Sequence, residues 1–188
     1  MGKRIWKRTA QLLPSLLGWA LVSVIFWSWV FNLLTETDRA HKVTLFANMH
    51  ALEDRALAIA LEEELPEGIR MVQVHSFDYA LMDSVSLETA DLYIMTEAQA
   101  REHADWLCPL PAGLPAGGGE LVLNGEAVGF CLRPEGKGGI AAAFLHYDEA
   151  PEEAWYLCFG RGGFHLRDLE NGVDHAALAI ALRLLEME

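Results

Sequence analysis

Residues 42–75 read KVTLFANMHALEDRALAIALEEELPEGIRMVQVH, and the predicted fold class follows from this segment. Its first part, Lys42–Ala47, is rich in β-branched and aromatic residues and therefore predicts a strand. Within Ala51–Leu65 the apolar residues recur at helical spacing, and Pro66 ends the predicted helix. The segment Ile69–His75 predicts a second strand. A strand, a helix and a strand in this order indicate a parallel βαβ unit.

The elements that follow extend this unit into one α/β domain. Asp91–Met95 predicts a third strand, and Thr96 is the predicted N-cap of a helix that runs through Trp106. The later predicted elements are a hairpin of Leu121–Leu123 and Ala127–Leu132 about Asn124-Gly125, strands Ile140–Leu145 and Trp155–Phe159, and a last helix capped by Asp174 with an apolar stripe of Leu178, Ala181, Leu182 and Leu185. The fold class predicted for this part of the chain is a mixed-sheet, three-layer α/β domain.

The chain before this domain predicts a transmembrane helix. Residues 9–35 contain no charged residue, and the tail 1–8 before them carries four basic residues and no acidic one. A bilayer core needs about 20 apolar residues in helical form, whereas the apolar core of a cleaved signal peptide has roughly 7–15. A cleaved signal peptide is the alternative, although no small-x-small site follows the run. The basic tail is expected in the cytoplasm, which places residues 36–188 outside the cell membrane as an extracytoplasmic domain on a single-pass signal-anchor.

The outer part is strongly acidic. Four of the 14 basic residues lie in the tail, so residues 36–188 carry 10 basic residues and all 27 acidic ones, a formal charge of −17. A field of this sign opposes nucleic acid and anionic lipid headgroups, and nucleic acid is therefore not an expected partner. A solvated acidic surface is the commoner meaning of such a charge, and attraction of a basic partner is the alternative.

Polar side chains follow each of the three strands predicted to be parallel. The predicted ligand- or partner-binding residues are Asn48 and His50 after the first strand, Ser76, Asp78 and Tyr79 after the second, and Thr96 and Glu97 after the third. The carboxyl ends of parallel strands lie at one edge of a sheet, where the ligands of open α/β sheets bind. The alternative is that Ser76, Asp78 and Thr96 only cap helices and turns.

Catalytic and cofactor motifs are missing from the sequence. Neither Gly-x-Ser-x-Gly nor Ser-x-x-Lys occurs, and no two of the seven histidines have the spacing of a helical zinc site. Gly160–Gly163 is expected to form a flexible loop, and the acidic residues of 148–153 a solvated one. Cys108, Cys131 and Cys158 are expected to pack in the core, with one disulfide bridge as the alternative. We expect no catalytic residue, no metal and no cofactor.

The order of elements resembles the first lobe of the type II extracytoplasmic solute-binding proteins of ABC transporters. Val43–Phe46, the helix 51–65 and the strand 69–75 match that order, and Ala90-Asp91-Leu92 resembles the alanine-aspartate-apolar strand of the family. Residues 156–159 and the last helix resemble the return of the chain to the same lobe. The family has two lobes that close over a ligand, whereas this chain has room for one. The resemblance implies a single binding lobe that is an accessory component of an ABC-type transport complex.

The sequence therefore predicts a non-enzymatic, membrane-anchored binding or interaction module whose partner is a membrane protein or a small molecule. Two alternatives stay open. One is an anchored hydrolase that uses Asp78, His50 or His75, and Glu97 as acid and base groups. The other is a structural or assembly protein that binds through its acidic face, in which case binding should weaken steeply with salt.

Overall fold

The computed structural model describes residues 2–35, 38–49, 52–77, 87–111, 114, 119–134, 138–147, 152–166 and 175–187. In the first helix, side chains are described only for residues 14–30. The chain divides into two compact units, Met1–Thr37 and Asp38–Glu188. Three of the predicted site residues, His50, Asp78 and Tyr79, lie outside the described residues, as does the predicted helix cap Asp174.

The first unit is a single helix, α1, which extends over Gly2–Thr35 and contains Pro14. Its large apolar side chains are 54% to 71% exposed, and they are Leu16, Leu17, Trp19, Leu21, Val22, Val24, Ile25, Phe26, Trp27 and Trp29. Among the described residues, no helix combines the length and the apolar character needed to cross a bilayer. The membrane-spanning role predicted for residues 9–35 stays a prediction.

The second unit is built on seven strands, namely β1 Lys42–Ala47, β2 Met71–Ser76, β3 Leu92–Thr96, β4 Leu107–Cys108, β5 Glu120–Leu123, β6 Glu126–Arg133 and β7 Trp155–Gly160. They form one sheet in the order β2-β1-β3-β7-β6-β5, and β4 pairs with β7 beside this path. The pairings of β1 with β2 and β3 are parallel, and all the others are antiparallel. The predicted mixed-sheet α/β fold is therefore confirmed.

Helices lie on both faces of the sheet. The helices of this unit are α2 Asp54–Glu62, α3 Glu97–Glu102 and α4 Ala176–Leu185, with 3-10 helices at Arg39–His41 and Ala104–Trp106. Successive residues of a strand face opposite sides, so Leu92 and Ile94 belong to one hydrophobic core and Tyr93 to the other. Side chains of α2 and α4 complete the first core, and Ala100 of α3 belongs to the second.

One predicted strand of this unit is wrong. Ile140–Leu145 forms turns rather than a strand, Ala141 has a φ of +53°, and only Leu145 makes an isolated bridge, with Leu52. The amide of Ala141 donates to the carbonyl of Met187, so this apolar segment packs beneath the C-terminal helix and not in the sheet. A short apolar run can form either a strand of the sheet or a buried turn, and its own sequence does not distinguish the two.

The buried face of α4 also differs from the predicted stripe. Its buried residues are Ala176, Ala177, Ile180, Ala181 and Leu184, whereas Leu178, Leu182 and Leu185 are only partly buried. Apolar residues occur nearly all round this helix, so its sequence does not select one face. Contacts with α2 and β1 determine which face of α4 is buried, and the small alanine side chains of that face permit α4 to approach these elements closely.

The predicted turn between β5 and β6 is confirmed, and one predicted helix boundary is shifted. Asn124 and Gly125 have φ values of 54° and 88°, which confirms the tight primed turn between β5 and β6. The helix predicted to run through Trp106 ends at Glu102 and continues as the 3-10 helix Ala104–Trp106. There the Trp106 ring stacks on the His103 ring with 4.1 Å between centroids.

Candidate functional site

The carboxyl edge of β1 and β3 is the point at which the order of strands reverses. The chain leaves β1 for β2 on one side and returns to β3 on the other side of β1. Ligands of open α/β sheets bind at such a switch point, beyond the carboxyl ends of the strands. Here Ala47 pairs with Ser76 and Ile94, and the amide of Asn48 donates to the carbonyl of Ile94 at 2.8 Å. The fold therefore brings Asn48, Ser76 and the end of β3 side by side.

Thr96 caps the helix that starts at this edge. Its hydroxyl oxygen accepts a hydrogen bond from the amide of Gln99 at 3.5 Å, and the Gln99 side chain accepts one from the amide of Thr96 at 2.8 Å. The two bonds form a capping box. Because Thr96 is 3% exposed and its hydroxyl is engaged, the helix-capping alternative describes this residue. Its contribution to the site is to hold the start of α3 against the end of β3.

Glu97 lines an open groove beside the switch point. Its Oε1 accepts a hydrogen bond from Nε of Arg101 at 2.9 Å, and both side chains are exposed. The groove has a volume of about 350 Å³ and is lined by Glu97, Ala98, Arg101, Glu152, Glu153, Ala154 and Tyr156. Tyr156 pairs with Met95 across β3 and β7, so the groove follows the boundary between these strands. Three carboxylates and one guanidinium give it an acidic character.

The other predicted site residues are only partly accounted for. His50, Asp78 and Tyr79 fall outside the described residues, so their relation to the groove stays a prediction. Of the groups that the hydrolase alternative needs, His75 has its ring 5.4 Å from that of Phe46, and Glu97 is engaged by Arg101. The assembly alternative likewise stays a prediction.

A buried polar cluster at the opposite, amino-terminal edge of β1 and β3 was missed by the sequence reasoning. Asp91 is 3% exposed, and its two carboxylate oxygens accept hydrogen bonds from the amides of Thr44 at 2.9 Å and His165 at 3.0 Å. Nε2 of His165 lies 3.1 Å from the carbonyl of Arg39 and 2.9 Å from that of Lys42. Burial raises the pKa of the Asp91 carboxyl, and the amides that bind it oppose this shift.

This cluster holds the chain together rather than presenting reactive atoms. His165 is fully buried, and a proton on Nε2 serves both carbonyls, which leaves Nδ1 without a hydrogen-bond partner among the described residues. The cluster ties the start of the domain to β3 and to the turn after β7. An aspartate inside the apolar run Ala90–Met95 was the signal that could have revealed it, since an unpaired buried carboxylate is costly.

The glycine-rich turn after β7 is packed, so the prediction of a flexible loop is wrong. A Cβ atom on Gly160 would lie 2.0 Å from the carbonyl oxygen of Ala90, and one on Gly162 would lie 2.3 Å from that of Glu88. A Cβ on Gly163 would meet Cα of Asp91 at 2.8 Å. These glycines allow two backbone segments to approach each other closely.

The three cysteines are free thiols. Cys158 is fully buried in the core, and burial raises its pKa to about 12. Cys108 and Cys131 are partly buried, and Sγ of Cys108 donates to the carbonyl of Phe159 at 3.4 Å. The predicted core packing is therefore confirmed for Cys158, and the three cysteines form no disulfide bridge in this structure.

Fold and site together define an α/β domain with a mixed seven-stranded sheet and an acidic groove at its switch point. Among the residues that the structure describes, no group of three or more histidine, cysteine, aspartate or glutamate side chains is placed to hold a metal ion. Comparison with protein-family models, with curated proteins and with solved structures finds no match to this chain.

Proposed function

We propose that this protein is a membrane-anchored, extracytoplasmic binding module that recognises its partner at the carboxyl edge of β1 and β3. The observation that carries the proposal is the groove of about 350 Å³ that opens beside the switch point. Switch points are where open α/β sheets bind ligands, because the loops after neighbouring strands diverge there. The position of the groove at this edge supports the proposal.

Membrane anchoring is supported by the composition and the exposure of α1. Residues 9–35 carry no charge, and ten large apolar side chains between Leu16 and Trp29 are exposed. Leaving such a side chain in water forgoes roughly 1.5–3 kcal/mol of burial free energy. A helix that is apolar all round is found in apolar surroundings, of which a bilayer is one. Tethering would raise the effective concentration of the domain for other membrane proteins.

Recognition rather than catalysis is supported by what the polar groups at the edge already bind. The hydroxyl of Thr96 is engaged in a capping box, and Glu97 pairs with Arg101. The groove carries more carboxylates than cations, so it favours a ligand or peptide that bears amino or guanidinium groups. The resemblance to one lobe of a solute-binding protein supports a role beside a transport complex, with an open groove in place of a closed cleft.

The proposal is tested by crosslinking in native membranes with the full-length protein. Glu97→Gln and Glu153→Gln remove carboxylates of the groove, and Glu102→Gln is the matched control because this glutamate is exposed on α3 outside the groove. The crosslinked partner should be lost from the two groove variants and retained by the control. Release of the protein by alkaline carbonate would contradict anchoring, and equal capture by all variants would contradict the groove as the site.

A further inference from the structure

Four cations of the second unit that form no ion pair with a described residue gather at one end of the sheet. This end is here called the amino edge and is formed by residues 38–42, 66–71, 87–91 and 160–165. Eight of the ten basic residues beyond α1 are described, Lys137 and Arg167 being the others. Three of the eight have partners, since Arg101 and Arg183 pair with glutamates and Arg133 donates to a carbonyl. The other five form no ion pair with a described residue; they are Arg39, Lys42, Arg70, Arg161 and Arg55, of which only Arg55 lies away from this edge.

Backbone contacts hold these segments of the amino edge together. The amide of Arg70 donates to the carbonyl of His41 at 2.8 Å, and Nε2 of His165 reaches the carbonyls of Arg39 and Lys42. Arg161 lies in the packed turn that leads to His165, whose amide binds Asp91. The cations are therefore presented from a rigid base rather than from a loose loop.

The charge balance of the amino edge differs from that of the rest of the unit. Its acidic residues are the exposed Asp38, Glu67 and Glu88 and the buried Asp91, so four basic and four acidic residues lie there. The other 23 acidic and 6 basic residues of 36–188 are in a ratio of about four to one. The unit thus has one end that is close to neutral, and the groove with its three glutamates lies at the other end of the strands.

An exposed aromatic ring belongs to the same edge. Phe164 is 53% exposed, although its neighbours Gly163 and His165 are buried. Its ring stands edge-on to that of His165, with 5.4 Å between centroids. An exposed aromatic side chain on the same surface as basic residues is a combination that enters the interfacial layer of membranes.

We propose that the amino edge docks on the bilayer surface, where Arg39, Lys42, Arg70 and Arg161 contact anionic lipid headgroups and Phe164 enters the interfacial layer. The inference rests on the proposed anchoring by α1, and only two residues separate the end of α1 from Asp38. Anionic headgroups attract cations near the surface and repel the acidic remainder of the unit. Because six strand residues span about 20 Å, docking would hold the groove away from the bilayer and open to a partner.

The test uses the full-length protein in nanodiscs of phosphatidylcholine, with or without an equal amount of phosphatidylglycerol. A small fraction of lipid carries a gadolinium chelate on its headgroup, and paramagnetic broadening of backbone amide signals reports which residues lie near the surface. The amides of Arg70 and Arg161 should broaden strongly in the anionic discs, weakly in the neutral ones, and less as salt is added. The amide of Glu97 should not broaden in either.

Two pairs of variants sharpen the result. Arg70→Gln and Arg161→Gln should each lower the ratio of docked to undocked protein by about fivefold, whereas Arg55→Gln, which removes an unpaired cation on α2, should not change it. Phe164→Ser should weaken docking, and Ile59→Ser is its control because Ile59 is 58% exposed on α2. Equal broadening in neutral and anionic discs, or an equal effect of Arg55→Gln, would overturn docking while leaving the anchor intact. A protein that does not float with lipid at all would overturn the anchor itself.

Discussion

Replacing Asp91 with alanine tests the buried cluster that joins the start of the domain to its central strands. The change removes the acceptor of two backbone amides, those of Thr44 at 2.9 Å and His165 at 3.0 Å. It leaves the backbone of β3 and the surrounding apolar residues in place. The prediction therefore concerns the hydrogen bonds of one carboxylate and little else.

The expected loss follows from those two bonds. A hydrogen bond to a charged group contributes roughly 1.5–3 kcal/mol, and burying an amide without an acceptor costs about 1–3 kcal/mol. Part of the loss is offset, because the alanine variant no longer buries a carboxylate. We expect Asp91→Ala to lower the free energy of unfolding by about 3 kcal/mol and Asp91→Asn, which keeps one acceptor, by about half of that.

Urea unfolding of the full-length protein in a nonionic detergent, followed by near-ultraviolet circular dichroism, measures this loss. Asp105→Ala is the matched control, since Asp105 is exposed, and it should change the free energy of unfolding by no more than about 0.5 kcal/mol. A loss in the free energy of unfolding below about 1 kcal/mol for Asp91→Ala would contradict the stabilising role given to these two hydrogen bonds, because the two amides would then have found other partners.

The pH dependence of the same variants has a definite sign. Burial raises the pKa of Asp91 above its ordinary value of 3.8, so the folded state holds this proton more tightly than the unfolded chain does. The contribution of the protonated Asp91 carboxyl to the free energy of unfolding is complete below pH 3.8. It is lost as the pH rises through the pKa that Asp91 has in the folded protein. The advantage of the wild type over Asp91→Asn should therefore be larger in acid than at neutral pH. A difference that grows with pH would contradict this.

Three further outcomes follow from the packing. Gly160→Ala should lower the free energy of unfolding by at least about 2 kcal/mol in the same urea assay, because its Cβ would lie 2.0 Å from the Ala90 carbonyl oxygen. Gly138→Ala is the control and should be tolerated, because the space around Gly138 is open. Thr96→Ala should cost about 1 kcal/mol through loss of the cap, and Thr96→Ser should restore it; an unaffected alanine variant would argue against the capping box. The thiol of Cys158 should resist iodoacetamide in the folded protein, while denaturation should expose it, as followed by mass spectrometry.

The strands and turns that were predicted correctly are those with a local physical cause. The run Lys42–Ala47 is β-branched and aromatic, and β1 has these same limits. Asn124-Gly125 forms its turn because both residues tolerate a positive φ. Thr96 caps α3 through a bond to the amide of Gln99, three residues further along the chain. In each case the deciding interaction lies within a few residues.

The candidate site was predicted as an edge of the sheet and not as a groove. Parallel strands bring Asn48 and Ser76 together, which the order of strand and helix patterns indicated. The order of these patterns does not predict the groove, because Glu152, Glu153 and Tyr156 reach it only through the antiparallel pairing of β7 with β3. The local pattern of Glu152 and Glu153 indicated a solvated loop and contained no sign of this neighbour.

Local sequence patterns were enough to predict the order of the main elements, the mixed character of the sheet and the uncharged, apolar run of residues 9–35 within the first helix. These properties follow from residue spacing, turn chemistry and caps, which act over a few residues. The face that α4 buries and the contact between Asp91 and His165 depend instead on the packing of distant segments. Asp91 and His165 are 74 residues apart in the chain, and His165 and Lys42 are 123 apart. No local pattern encodes a bond of that range, because it forms only after the whole sheet has brought its two ends together.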